Sequence, residues 1–104
     1  MGDNQRYYEG VAELSKLSRA ARFDLLIDFP TEYTLKLIGS EETFEARVRH
    51  KLQRLGFEDV EISRRDSRAG RYISLTAVFT VANAEKLDEI YTSMEQIETL
   101  KVLL

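Results

Sequence analysis

From Tyr72 to Ala82 the chain runs Tyr-Ile-Ser-Leu-Thr-Ala-Val-Phe-Thr-Val-Ala, rich in β-branched residues and alternating in polarity. Successive side chains of a strand point to opposite faces, so Ile73, Leu75, Ala77, Phe79 and Val81 share one side. Tyr72, Ser74, Thr76, Val78 and Thr80 share the other, and only the first set is strongly apolar. A strand of this kind belongs to a sheet that buries one face, and the remaining sequence must supply the cover.

The neighbouring segments supply it. Glu32 to Gly39 alternates, with Tyr33, Leu35 and Leu37 on one side and Thr34, Lys36 and Ile38 on the other, which predicts a first strand. Ser40 is then placed to cap a helix, Glu41 and Glu42 suit its positive end, and Phe44, Val48, Leu52 and Leu55 form one stripe before Gly56 closes it. Val60 and Ile62 alternate with Glu61 and Ser63 in a second strand, joined to the third by a turn at Ser67-Arg68-Ala69-Gly70. Asn83 caps a second helix carrying Leu87, Ile90, Tyr91, Met94 and Ile97, and Leu100, Val102 and Leu104 alternate in a last strand.

The order β-α-β-β-α-β, with right-handed crossovers, puts both helices on one face of a four-stranded antiparallel sheet. The expected fold is therefore α+β, of the ferredoxin-like or split βαβ type. Ahead of it, Tyr7, Val11, Leu14 and Ala21 recur at helical spacing and predict an amphipathic helix from about Tyr7 to Arg22. The division expected is an extension over residues 1–24 and a domain over residues 25–104.

Composition excludes several functions. Fifteen basic against eighteen acidic side chains give a formal charge of −3, unsuited to a protein built to neutralise phosphate, so nucleic acid is a disfavoured partner. The absence of Cys removes disulfides, thiolate catalysis and Cys-bound metals, and fits a reducing cytoplasm. Residues 1–8 lack the charged and apolar regions of a signal peptide, and no apolar run approaches the ~20 residues that span a bilayer. No membrane association and no cofactor are expected.

Two stretches stand out as motifs: Leu26-Ile27-Asp28-Phe29-Pro30-Thr31-Glu32-Tyr33-Thr34-Leu35-Lys36-Leu37-Ile38-Gly39, and Ser67-Arg68-Ala69-Gly70-Arg71-Tyr72-Ile73-Ser74. Together they resemble the YbeD-like family of small bacterial proteins of unassigned function. The match rests on Phe29, Pro30, Thr31, Tyr33, Thr34, Lys36, Gly39, Gly70, Tyr72 and Ser74, with Leu87, Tyr91 and the Val102-Leu103-Leu104 ending in support. The resemblance implies a fold like that of ACT regulatory domains, βαββαβ modules that bind metabolites, often at dimer interfaces, and switch attached enzymes. The sequence reads as one such module with an extension, so any regulation is expected to act on a separate partner.

The open sheet face is expected to carry Thr34, Lys36, Ile38, Glu61, Ser63, Arg65, Tyr72, Ser74, Thr76, Val78, Thr80 and Leu103. Two readings fit it. One is a solvated face partly covered by residues 7–29; the other is a docking platform for a second protein, with Tyr72, Ser74, Thr76, Lys36 and Thr34 as contact residues and Tyr72 as anchor. The amphipathic extension around Tyr7, Val11, Leu14 and Leu17 is then either a lid over that face or an arm of a homodimer.

A small metabolite is the competing ligand. Gly39 and Ser40 would offer backbone amides at a helix start, and Arg68 and Arg71, with Arg64 and Arg65, would bring guanidinium groups together near the hairpin turn. Against this, Glu41 and Glu42 already place negative charge at the first position, and Glu58, Asp59, Glu61 and Asp66 nearly balance the second. RNA binding is a third alternative, since RNA-recognition modules share the topology, but Thr34 and Ser74 stand where stacking aromatics would be needed. Catalysis is not expected: His50 falls opposite the apolar stripe of its helix, and no phosphate loop, nucleophile triad or acid-base pair of carboxylates is present.

Overall fold

The computed structural model describes residues 16–104. Its elements are α1 (Arg19–Leu26), β1 (Thr31–Gly39), α2 (Phe44–Arg54), β2 (Glu61–Asp66), β3 (Ile73–Val81), α3 (Ala84–Glu95) and β4 (Leu100–Leu103). The sheet order is β2-β3-β1-β4 and every neighbouring pair is antiparallel. From β1 onward this is the ferredoxin-like order expected from the alternation.

Strand β3 is paired on both sides. Leu35 lies opposite Ala77 and Leu37 opposite Leu75 in β1, while Ile62 of β2 lies opposite Ala77. These positions face the helices, where Leu35, Leu37, Leu75, Ala77 and Val81 are buried. Phe44, Val48 and Leu52 of α2 and Leu87, Ile90 and Met94 of α3 bury the opposing stripe. Each such side chain contributes ~1.5 to 3 kcal/mol by leaving water, which is what holds the helices to the sheet.

Local signals act as expected at several boundaries. The Asn83 side chain accepts the Lys86 N–H at 2.8 Å and starts α3. Gly56, at φ +96°, follows the end of α2, and Gly70, at φ +71°, donates its N–H to the Ser67 carbonyl in the hairpin turn. The β2 strand continues through Arg64, Arg65 and Asp66, further than its apolar residues alone indicate.

The start of α2 differs from expectation. Ser40 does not cap it: the Ser40 N–H donates to the Thr99 carbonyl at 3.0 Å, so the residue still belongs to the sheet edge. Glu41 adopts φ +74°, Thr43 occupies the N-cap position without a side-chain bond to a helix N–H, and the helix begins at Phe44. Sheet pairing to the segment before β4 wins over the helix cap.

The N-terminal helix also differs. Ser18 has extended backbone and its hydroxyl accepts the Ala21 N–H at 3.1 Å, so α1 starts at Arg19 rather than running through from Tyr7. Most of the expected helix lies outside the described residues. The division drawn between residues 24 and 25 falls inside α1.

Helix α1 is docked on α3. Arg19 donates to Asp88 Oδ1 at 2.6 Å, to Glu95 at 3.0 Å and to Thr92 Oγ1 at 2.9 Å, and its guanidinium sits 5.3 Å from the Tyr91 ring centre. Burial opposes the Arg19 charge, but the bonds to Asp88 and Glu95 outweigh it and raise its pKa. Phe23 packs 5.5 Å from Tyr91, whose hydroxyl shares a 2.6 Å hydrogen bond with Tyr33. Burial first, and then that bond, raises the Tyr91 pKa and keeps the phenol neutral. Arg19→Ala should destabilise the protein by ~1 to 2 kcal/mol, because the side chain is 28% exposed and its ion pairs are partly screened. Thermal unfolding measures the loss, and hydrogen exchange should show it concentrated in α1.

Candidate functional site

Because the helices and α1 occupy one side, the described residues leave the other side of the sheet open. The register defines its rows. Ile38 lies between Ser74 and Val102, with Arg65 beyond Ser74. Lys36 lies opposite Thr76, with Ser63 beyond it, and exchanges two backbone hydrogen bonds with Leu104 at 2.8 and 3.3 Å. Thr34 lies opposite Val78, which faces Glu61 of β2. The structure therefore brings Thr34, Lys36, Ser74 and Thr76 onto one surface, as the alternation requires.

Tyr72 stands just before β3 at the end of that surface. Its N–H donates to Ser67 Oγ at 3.1 Å and its carbonyl accepts the Ser67 N–H at 2.9 Å, while 46% of the residue remains exposed. The hairpin thus fixes the backbone and leaves the ring available. An anchor held this way loses little conformational freedom on contact.

The last strand corrects the expected face. The β1–β4 register shifts between Ile38 and Gly39, so Leu100 lies opposite Gly39 while Val102 lies opposite Ile38. Leu103 pairs with Leu37 and packs on the core, whereas Val102 and Leu104 stand on the open face, 40% and 65% exposed. A bulge inserts one residue and reverses the alternation beyond it. The spaced Leu100, Val102 and Leu104 carried the signal that β4 alternates, but not where the extra residue falls.

The result is a shallow concavity of about 410 Å³ edged by Lys36, Ser63, Arg65, Ser74, Thr76 and Leu104. Hydroxyls, one ammonium and one guanidinium are interleaved with Ile38 and Leu104, and Val102 lies beside Ile38 on the same face. This arrangement offers hydrogen-bond donors around aliphatic contacts.

At the metabolite-site residues, the turn after β1 is already engaged by the fold. The Ser40 amide is committed to Thr99, and the Gly39 backbone lies directly under the Phe44 ring, which closes that turn to an anion. Near the hairpin, strand alternation sends Arg64 and Arg65 to opposite faces. Arg64 reaches Asp66 Oδ1 at 2.7 Å and Glu42 and Glu45 at 3.4 Å on the helix side. The Arg64 hydrogen bond lowers the Asp66 pKa, and the same bond raises that of Arg64. Arg68 and Arg71 are exposed at the turn. Among the described residues no group of three or more His, Asp or Glu is placed to hold a metal ion, and no helix is long and apolar enough to cross a membrane.

An open antiparallel sheet backed by two crossover helices defines a small α+β module of ferredoxin-like fold. The chain belongs to the YbeD-like family: residues 24–104 match the family model described as "Protein of unknown function (DUF493)". A UPF0250 protein of Shewanella piezotolerans is 32% identical over 84 residues, covering 80% of this chain and 96% of the relative. One of Paraburkholderia phymatum is 32% identical over 82 residues, covering 76% and 92%. The solution structure of protein HP0495 from H. pylori superposes with a TM-score of 0.63 at 15% identity, over 75% of this chain and 85% of that one. That likeness concerns the fold.

Proposed function

We propose that the protein is a non-enzymatic, ACT-like module that regulates or scaffolds a separate protein partner through its open sheet face. The observation that supports this reading is the band formed by Ile38, Val102, Leu104 and Tyr72 on a face left uncovered by the described residues. Exposed apolar groups rimmed by polar ones are the usual composition of a protein contact surface. Ser74, Thr76, Lys36 and Thr34 supply the polar rim.

The described part of the extension, α1, packs on α3, on the far side of the sheet. The lid positions Tyr7, Val11 and Leu14 lie outside the described residues. The homodimer alternative would place a second copy on the same surface.

A Tyr72→Ala/Thr76→Glu variant tests the reading, since it removes the anchor and puts a charge at the centre of the face. Both positions point away from the core, so circular dichroism and melting should stay close to wild type. In a quantitative pull-down from lysate of the native source, a stoichiometric partner should be retained by wild type and lost from the variant. Loss of one anchor is worth ~2 kcal/mol, about a 30-fold weakening. Identical profiles would sink the site, and a change from dimer to monomer in sedimentation would instead make the partner a second copy.

A further inference from the structure

The helical side of the molecule carries a second surface of different chemistry, built from residues that the sheet face does not use. Along α2, Arg47, His50, Lys51 and Arg54 recur at the spacing that puts them on one side of a helix. They border two adjoining depressions between α2 and the C-terminal end of α3. One, of about 530 Å³, is lined by Arg47, His50 and Lys51 together with Ala46 and Ile97. The other, of about 490 Å³, is lined by His50, Lys51 and Arg54 with Ser93. Gln96 lines both, and its side-chain oxygen accepts from Lys51 Nζ at 3.3 Å, forming a saddle between them.

Among the described residues no carboxylate lines either depression. That is notable in a chain whose formal charge is −3. Three acids of the same two helices are engaged elsewhere: Glu45 with Arg49 and Arg64, Glu89 with Lys86, and Glu95 with Arg19. Arg47 and Arg54 form no ion pair among the described residues. Charges of one sign within a concave surface focus the local field toward the opposite charge.

From these features we infer that the groove between α2 and α3 is a binding site for a small polyanion, a chain of linked phosphates or a metabolite bearing them. Arg47 and Arg54 are seven positions apart, which at 1.5 Å per residue sets the basic row at roughly 10 Å. A single phosphate engages one end of such a row. A linear polyphosphate crosses the saddle and engages both ends, with Ala46 and Ile97 under any uncharged body attached to it. The inference is independent of the sheet-face reading, and the residues tested are different.

Inorganic triphosphate and orthophosphate serve as probes, followed by amide chemical shifts of the full chain at low and moderate salt. Triphosphate should bind saturably, move the amides of residues 47–54 and 93–97, and bind about ten-fold more tightly than orthophosphate. Its affinity should fall as salt rises. The Arg47→Ala/Arg54→Ala variant, altered only at exposed positions, should keep the fold and lose about ten-fold or more in affinity, whereas Lys101→Ala should bind as wild type. Three results would overturn the assignment: no saturable triphosphate binding, equal binding by the double variant, or tighter binding of a hexaglutamate peptide than of triphosphate. The last would make the groove a docking site for an acidic protein segment.

Discussion

Replacing Gly39 with alanine is expected to lower stability by ~3 kcal/mol, equivalent to a fall of roughly 15 °C in the melting temperature of a domain this size. Gly39 is at the end of β1 on the core side, where the Phe44 ring rests directly against its backbone. A methyl group there would overlap three ring carbons of Phe44. Phe44 is fully buried in the first turn of α2, so the ring has little room to retreat. The clash must be relieved by shifting the helix or the end of the strand. Thermal or urea unfolding measures the loss, and a melting temperature within a degree or two of wild type would show that α2 moves freely.

Phe44→Ala should cost still more, ~3 to 5 kcal/mol, through lost burial and the cavity left behind. The two substitutions concern one contact and should not be additive. With the ring gone, the Gly39→Ala methyl enters space that is now empty, so the double variant should be less destabilised than the sum by ~1 to 3 kcal/mol. A full double-mutant cycle measures this coupling. Strict additivity would mean that Gly39 acts through its own backbone freedom rather than through the ring.

The same contact shows what could be read from the chain. The closing glycine of the first strand is visible in sequence, but the ring that rests on it is not, because that contact depends on how the turn from β1 into α2 folds. Alternation is a local property with a period of two, so β1 and β3 were legible in full, and Thr34, Lys36, Ser74 and Thr76 fell on the expected face. Helical stripes were legible for the same reason, and Asn83 was a reliable cap because its side chain bonds three residues ahead.

Features that depend on pairing between distant segments were not legible. Ser40 gives its amide to Thr99, far along the chain, and that bond displaces the helix start to Phe44. The bulge opposite Ile38 and Gly39 likewise exists only between two strands, and it exchanges Leu103 for Val102 and Leu104 on the open face. The basic groove was hidden in another way. The helical wheel puts His50 opposite the apolar stripe of α2, yet what faces it, Gln96 and Ile97, follows α3 nearly fifty residues on.

The attachment of α1 has a mechanical meaning. Arg19 and Phe23 bind this helix to α3, while its other end leads through Pro30 into β1, which is hydrogen-bonded along both edges. Tension applied ahead of Ser18 therefore meets the Arg19 clamp before it reaches the sheet. The clamp consists of a few polar bonds and one aromatic stack, whereas β1 is held by two ladders. Under load α1 should therefore peel from α3 before the sheet ladders open.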